Sequence, residues 1–266
     1  MVTLATMQTV ICADVRENGR VVRAALVRAA EAGARVVHFP ERALSGYVIS
    51  EIAGWDRVDW RALREELEET AALAGQLGIW VVLGANHRLP GGMWPHNSLY
   101  VISDTGDVVG RYDKRYCSNP ELTYWYTPGD APLVFDVDGV RFGCALCIEV
   151  VFPELFAEYE RLGADCALLS SYSGDPVHGV MAQAHAGTNC MWVSMSTPVA
   201  CSATLAAGLF GPDGHVVERC APRMPGQMLA DVGVEAGRYR VALRLSRPWR
   251  ALARSGHVHA ARRVGA

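Results

Sequence analysis

Cysteine is the residue type in this chain best suited to nucleophilic chemistry, and Cys147 stands where a nucleophile can be held. The apolar run before it predicts a buried strand, and Pro153 predicts the first turn of a helix, where its missing N–H costs nothing. A thiol at such a corner is held by rigid backbone, and free N–H groups nearby can bind developing negative charge. Residues 143–154 are therefore the stretch in which we expect a thiol nucleophile.

Two charged residues also follow predicted strands. Lys114 is the single lysine among 25 basic residues, and it offers a compact ammonium where the rest of the chain uses arginine. Glu41 lies just past the predicted strand 35–39. Because the thiolate is the reactive form of cysteine, the thiol needs a base, and a buried carboxylate can serve. Lys114 and the N–H of Ile148 are predicted to stabilise the tetrahedral adduct of a carbonyl or nitrile carbon.

Further side chains are predicted to complete this site. Glu121 lies soon after the lysine in an aromatic-rich segment, where it can orient substrate or relay protons. Glu149 is as consistent with a structural salt bridge as with a pocket carboxylate. His178 and His185 can share a helix face and are more often structural than catalytic. The predicted substrate-binding residues are Tyr47, Trp125, Ile148, Glu149 and Tyr172.

Several short motifs around these residues occur in a recognisable order. They are Gln8, Phe39-Pro40-Glu41, Asn97-Ser98, Tyr112-Asp113-Lys114, Glu121 before Thr127-Pro128-Gly129, residues 143–154 with Phe152-Pro153-Glu154, and Gly211-Pro212-Asp213-Gly214. Over about residues 3–232 the chain resembles the nitrilase, or carbon–nitrogen hydrolase, superfamily. Each motif is weak by itself, and their shared order carries the resemblance.

The resemblance implies a four-layer α-β-β-α sandwich, self-association through the sheet-flanking helices, and no metal or organic cofactor. It implies a Glu-Lys-Cys triad in which Glu41 is general base and acid, Lys114 binds the oxyanion and Cys147 attacks. The reaction it implies passes through a thioester: an amine or ammonia leaves first, and water then hydrolyses the acyl-enzyme.

Two departures from the family pattern bear on the substrate. Ile148 stands where true nitrilases often have tryptophan, and this favours a small amide or an N-carbamoyl compound over a nitrile. Residues 182–190 match the family's usual Arg-Ala-x-x-x-Glu-Asn run only loosely. A nitrilase is the nearest alternative. An acyltransferase of the lipoprotein N-acyltransferase type is less favoured because that branch is membrane-embedded, and a catalytically silent scaffold is a further alternative.

The elements that must position the site alternate along the chain, which predicts an α/β fold with mixed sheets. Helices are predicted over 19–32 (capped by Asn18), 60–77 (closed by Gly78), 153–162 and 176–187. Strands are predicted over 2–12, 35–39, 79–84, 97–103, 107–112, 133–137, 140–146, 165–169, 191–195, 205–210, 216–220 and 227–232. Residues 115–131 are predicted to form an irregular loop.

Composition and charge limit the broad class. The 266 residues are 50% hydrophobic and 20% charged, which predicts one domain over 1–266 with a C-terminal arm at about 234–266. A net charge of −3 disfavours nucleic acid as a partner. No apolar run reaches the ~18 residues of a membrane span, and the first residues predict a strand rather than a signal peptide. We expect a cytoplasmic homo-oligomer, a dimer or higher. The arginines of the arm, predicted to form a solvated tail or a subunit contact, are Arg247, Arg250, Arg254, Arg262 and Arg263.

Eight irregularly spaced cysteines are expected to be free thiols. Cys144 and Cys147 spell C-x-x-C, but residues i and i+3 of a strand point to opposite faces, which disfavours a redox pair. Because the other cysteines are scattered, a zinc site is disfavoured too.

Overall fold

The computed structural model describes residues 1–48, 50–91, 93–234, 237–260 and 262–263. Within these ranges two six-stranded sheets contain every predicted strand, with ends shifted by a few residues. The strands are β1 Val2–Gln8, β2 Val36–His38, β3 Trp80–His87, β4 His96–Ile102, β5 Val108–Asp113, β6 Val134–Val137, β7 Val140–Leu146, β8 Cys166–Ser170, β9 Trp192–Ser196, β10 Gly208–Phe210, β11 Val216–Arg219 and β12 Gly226–Val232.

Each sheet has a parallel centre and antiparallel edges. The first has the order β12-β1-β2-β3-β4-β5, and the second has the order β11-β10-β9-β8-β7-β6. Strands β1, β2 and β3 are parallel, as are β7, β8 and β9, whereas the outer pairings are antiparallel. The carboxyl ends of parallel strands, where α/β sheets usually place their sites, therefore gather at one edge of each sheet.

The period-two alternation of the strands divides the apolar side chains among three cores. In β7, Phe142 and Leu146 point into the core between the sheets, while Ala145 points to the helices on the outer face. In β2, Val36 faces the other sheet and Val37 faces the helices. Two sheets packed face to face with helices outside both make the predicted four-layer α-β-β-α sandwich, which is confirmed.

Helices cover both outer faces. They are α1 Val15–Glu31, α2 Trp60–Leu77, α3 Asn119–Tyr124, α4 Pro153–Arg161, α5 Pro176–Asn189, α6 Arg247–Arg254 and α7 His257–Ala260. The prediction that Asn18 caps the first helix is wrong. Asp14 is the cap and accepts from the N–H groups of Arg16 and Glu17, while the Asn18 amide bonds the backbone of Cys12. An earlier acidic residue thus starts the helix one turn sooner.

The prediction of an irregular loop over 115–131 is wrong at its centre, where α3 forms. Its first turn is a capping box in which the Ser118 hydroxyl accepts from the Glu121 N–H and the Glu121 carboxylate accepts from the Ser118 N–H. Pro120 lies in the same first turn. A Ser-x-x-Glu pattern at the start of a helix is easily overlooked when no long apolar run follows it. This short helix fixes the backbone from which Glu121 projects.

Polar side chains join the two sheets near the carboxyl ends of their parallel strands. His38 of β2 contacts Ser194 and Ser170 of the second sheet at 2.9 Å each, and Thr6 contacts Ser194 at 2.7 Å. Burial lowers the pKa of His38 to about 3, so the imidazole is neutral at physiological pH. These hydrogen bonds fix the register of one sheet against the other directly beneath the strand ends.

The predicted arm at about 234–266 includes residues 235, 236, 261 and 264–266, which lie outside the described part of the chain. Its described residues pack against the body through ion pairs. Arg247 lies 2.7 Å from Asp165, and Arg254 lies 2.6 Å from Glu160. These two arginines therefore attach the arm instead of forming a solvated tail. Across the described ranges, no helix combines the length and the hydropathy that crossing a bilayer requires.

Candidate active site

Glu41, Lys114 and Glu121 meet in one buried cluster. Glu41 lies in the turn after β2, and Lys114 directly follows β5, where its N–H bonds the Asn97 carbonyl at 2.8 Å. Lys114 Nζ is 3.2 Å from Glu41 Oε1 and 2.9 and 2.8 Å from the two carboxylate oxygens of Glu121. The three side chains are almost inaccessible to solvent. The structure thus places these three predicted site residues next to one another.

Cys147 lies where β7 turns into a short 3-10 helix, Cys147–Val151. Its φ of 47° is in the left-handed region, an uncommon conformation for a residue with a side chain. Burial, followed by the charge of Glu41, raises the pKa of the Cys147 thiol to about 12, and the charge of Lys114 acts in the opposite direction. The thiol is therefore protonated at rest and within electrostatic range of both groups.

Glu41 has one engaged oxygen and one free oxygen. Oε1 accepts from Asn97 Nδ2 at 2.7 Å and from Lys114 Nζ at 3.2 Å. Oε2 is buried and has no hydrogen-bond partner among the described residues. A buried carboxylate oxygen without a donor is unusual, and it is suited to receive a proton.

Glu121 is held as an anion. Burial acts to raise its pKa, but the nearby charges of Lys114 and Arg42 and the hydrogen bond from Lys114 prevail and lower the pKa of Glu121 to about 2. It therefore accepts hydrogen bonds from Lys114 at neutral pH, and it fixes the direction of the ammonium.

Arg42 is a member of this cluster that the sequence prediction missed. Its side chain is fully buried, its φ is 56°, and its Nη2 donates to Glu121 Oε1 at 2.5 Å and to Glu41 Oε1 at 3.3 Å. An arginine inside the otherwise apolar run that follows Glu41 was the available signal. We refer to Glu41, Arg42, Lys114 and Glu121 as the ionic cluster.

Two glycines let the backbone beside the ionic cluster pack closely. A Cβ on Gly84 of β3 would lie 2.3 Å from the Pro40 carbonyl oxygen and 2.4 Å from the Arg42 nitrogen. A Cβ on Gly129 would lie 2.4 Å from the Asp113 carbonyl oxygen, next to Lys114. Only glycine fits either position without movement of the backbone.

Comparison with known proteins identifies the family of this chain. The family model described as carbon-nitrogen hydrolase matches residues 2–240. The chain belongs to the carbon–nitrogen hydrolase family. The nitrilase-superfamily resemblance drawn from the motifs is thereby confirmed.

The relatives of this carbon–nitrogen hydrolase are distant. Nitrilase homolog 2 of Dictyostelium discoideum is 27% identical over 51% of this chain and 43% of its own length. Deaminated glutathione amidase of Bos taurus is 25% identical over 66% of this chain and 58% of its own length. The chain therefore spans about half the length of these curated relatives. A solved amidase of the nitrilase superfamily from Nesterenkonia AN1 shares the fold, with a TM-score of 0.77 at 23% identity over 86% of this chain and 90% of that one.

The aromatic residues predicted to bind substrate lie in two groups. Tyr47 and Tyr172 stack with ring centroids 4.3 Å apart, and Tyr47 covers the Arg42 guanidinium at 3.8 Å. Trp125 instead packs edge-to-face on Trp55 at 5.7 Å, in a small apolar cluster. Tyr47 is thus next to the ionic cluster, whereas Trp125 supports the segment around it.

Ile148 directly follows Cys147 and is partly accessible to solvent. His178 is close enough to Glu41 and Lys114 for their charges to influence its pKa, which burial lowers. His185 stacks on Phe156 at 4.0 Å and bonds the Val150 carbonyl at 2.8 Å, so it is structural.

The prediction that Glu149 binds substrate is corrected by its hydrogen bonds. Its carboxylate accepts from the Tyr112 hydroxyl at 2.8 Å and from the N–H groups of Leu146 at 2.7 Å, Arg115 at 2.8 Å and Tyr116 at 3.1 Å. Four donors occupy both oxygens, so none is left to face a pocket. We call this arrangement the Glu149 clamp, and it ties the Cys147 corner to the chain that follows Lys114.

The other cysteines are free thiols in the described part of the chain. Cys144 lies in the core between the sheets, whereas Cys147 is close enough to Glu41 and Lys114 for their charges to act on its thiol. Among the residues that the structure describes, no group of three or more His, Cys, Asp or Glu side chains is arranged to hold a metal ion.

Proposed function

We propose that the chain hydrolyses a non-peptide C–N bond in a small amide or N-carbamoyl compound through a thioester on Cys147. The observation that supports this proposal is Oε2 of Glu41, which has no hydrogen-bond partner among the described residues. It lies in a buried cluster that also holds an ammonium and is within electrostatic range of a protonated thiol. Glu41, Lys114 and Cys147 act as the triad, and Glu121 fixes Lys114.

In the first half-reaction, Glu41 Oε2 takes the thiol proton as Sγ attacks the carbonyl carbon. The negative charge moves to the carbonyl oxygen, where Lys114 Nζ and the Ile148 N–H stabilise it. Collapse of the adduct breaks the C–N bond, and Glu41 returns its proton to the leaving nitrogen. An acyl group then remains on Sγ.

The second half-reaction uses the same groups with water as the nucleophile. Glu41 takes a proton from water, the C–S bond breaks, and the proton goes back to sulfur as the carboxylic acid leaves. A base is needed at both stages because the thiol and water are both protonated at neutral pH. One carboxylate whose second oxygen is free meets that need.

An amide is favoured over a nitrile by two observations. Ile148 stands where tryptophan is common in true nitrilases. The structural neighbour from Nesterenkonia has been determined with butyramide bound, and a variant of it shows the acetamide moiety of fluoroacetamide attached at its active-site cysteine. Feeding a nitrile and its matching amide side by side separates the two substrates.

The decisive experiment is release of ammonia from a panel of amides, carbamoyl amino acids and nitriles. For any substrate found, we expect Cys147→Ala to lower turnover by at least about 10⁴-fold with an unchanged fold. Cys12→Ala, which changes a thiol outside the site, is the matched control and should keep wild-type turnover. Hydrolysis retained by the Cys147 variant would contradict the thioester route.

A catalytically silent scaffold is distinguished by reactivity without substrate. Intact-mass analysis after iodoacetamide should show one cysteine labelled far ahead of the other seven. No turnover on the panel together with uniform labelling would favour the scaffold. The single domain over 1–266 with its arm, the cytoplasmic location and the homo-oligomer stay predictions.

A further inference from the structure

The ionic cluster contains a second cation whose role the triad does not explain. Two buried carboxylates, Glu41 and Glu121, share the ammonium of Lys114, which leaves one negative charge in excess. Two negative charges in one buried site repel each other, so a further cation is needed to balance them. Arg42 supplies the missing positive charge, since its Nη2 contacts Glu121 and Glu41 at 2.5 and 3.3 Å.

Among the residues that the structure describes, the guanidinium hydrogen-bonds only these two carboxylates. Its central carbon lies 3.8 Å from the ring centroid of Tyr47 and 4.6 Å from the ring centroid of Tyr126. The hydroxyl of Tyr126 is itself held by Asn86 at 2.8 Å. Nε and Nη1 are buried without a hydrogen-bond partner among the described residues. Buried donors are normally hydrogen-bonded, so the two carboxylates are the main polar partners that account for the position of this side chain.

The backbone adopts an uncommon conformation at Arg42. Its φ of 56° is unusual for a residue with a side chain, and Gly84 lets the turn approach β3 closely. Glu41 and Arg42 thus enter the cluster from adjacent positions of one tight turn. The base and its balancing cation are placed together.

We propose that Arg42 is a positioning residue that balances the charge of the ionic cluster, so that Glu41 can accept the Cys147 proton beside the negative charge of Glu121. This inference rests on the proposed function for the role of Glu41. It concerns the free enzyme, so its test needs no substrate.

The test is the pH dependence of Cys147 alkylation by iodoacetamide, followed by mass spectrometry of the labelled peptide. The first proton lost from the Glu41–Cys147 pair sets the midpoint of this profile. Removing a nearby positive charge makes that loss harder, so Arg42→Met should move the midpoint up by about one pH unit or more. Arg42→Lys keeps the charge and should stay within a few tenths of a unit of wild type, which is the rescue that a packing role would not give.

Glu121→Gln provides a test of opposite sign. It removes a negative charge from the same cluster, so the midpoint should move down. The double variant Arg42→Met/Glu121→Gln restores the balance and should return the midpoint close to wild type. Arg35→Met is the matched control: Arg35 pairs with Asp138 at 2.7 Å and Asp104 at 2.8 Å outside the site, and its loss should leave the midpoint unchanged.

An unchanged midpoint in folded Arg42→Met would overturn the inference, even if labelling were slower. Should that variant not fold, the Glu121→Gln and double variants decide: no downward shift, or no return in the double variant, overturns it as well. Failure of the proposed function is seen separately, as normal labelling without hydrolysis of any amide, carbamoyl compound or nitrile.

Discussion

Two buried glutamates, Glu121 and Glu149, lie beside the segment that follows Lys114. They show two ways in which a protein accommodates a buried carboxylate. Glu121 is bonded by the cations Lys114 and Arg42, and its pKa is lowered to about 2. Glu149 is bonded by a tyrosine hydroxyl and three backbone N–H groups, and its pKa is raised because burial outweighs those neutral donors. Two neighbouring residues belong to the two regions. Lys114 is part of the ionic cluster, and the Arg115 N–H donates to the carboxylate of the Glu149 clamp.

The difference indicates a division of labour. The ionic cluster sets charge near the thiol, so changes there should appear in reactivity and its pH dependence. The Glu149 clamp bonds backbone on both sides of the site, so changes there should appear in stability. Measuring both reactivity and stability therefore distinguishes the two regions.

The largest effect is expected from Lys114→Arg. The change keeps the charge but replaces a compact ammonium by a wide planar fork, so the donor no longer reaches the oxyanion position. We expect kcat/KM to fall by at least about 100-fold. Arg115→Lys is the neighbouring control and should keep most of the activity. Near-normal turnover by Lys114→Arg would refute the oxyanion role.

A loss of stability is expected from Glu149→Gln. The amide nitrogen of glutamine would face groups that all donate, leaving at least one donor buried without an acceptor. The free energy of unfolding in urea should fall by about 1–3 kcal/mol. The midpoint of Cys147 alkylation should stay within a few tenths of a unit of wild type. A large shift of that midpoint with unchanged stability would show that Glu149 belongs to the charge system after all.

The smallest effect is a difference in how stability depends on pH. The pKa of Glu121 is lower in the folded chain than its usual 4.5, so its stabilisation is present above pH 4.5 and is lost as the pH falls toward about 2. The pKa of Glu149 is higher than its usual 4.5, so its contribution is present below that value and is lost as the pH rises through the folded pKa.

Unfolding measured between pH 3 and 7 should show these opposite signs. Relative to wild type, Glu121→Gln should lose less stability on acidification below pH 4.5. Glu149→Gln should lose less stability as the pH rises above 4.5. The same slope change in both variants would contradict the distinction between the two carboxylates.

The sequence predicted the site better than the surroundings of the site. Glu41, Lys114 and Cys147 each follow a strand, and strand ends can be located from apolar runs and turns, so their convergence could be expected. Glu121 was found by its place in an ordered set of motifs. The four-layer sandwich followed from the same resemblance, and the alternation in β7 gives it a physical basis.

What the sequence missed depends on contacts between distant segments. The position of Arg42 requires a left-handed turn and two tyrosines, one of them 84 residues further along the chain at Tyr126. The role of Glu149 requires backbone N–H groups from the segment after β5. Neither follows from local pattern. The helix α3 is different, because its capping box was present in the sequence and was overlooked.

Gly84 and Gly129 set the spacing of the reactive groups by leaving room for neighbouring backbone. A single methyl group at either position would push against the turn that carries Glu41 or the strand end that carries Lys114. Neither glycine needs to touch a substrate to matter. The tolerance of this chain to substitution is therefore expected to be lowest at some positions that do not contact the reactive groups.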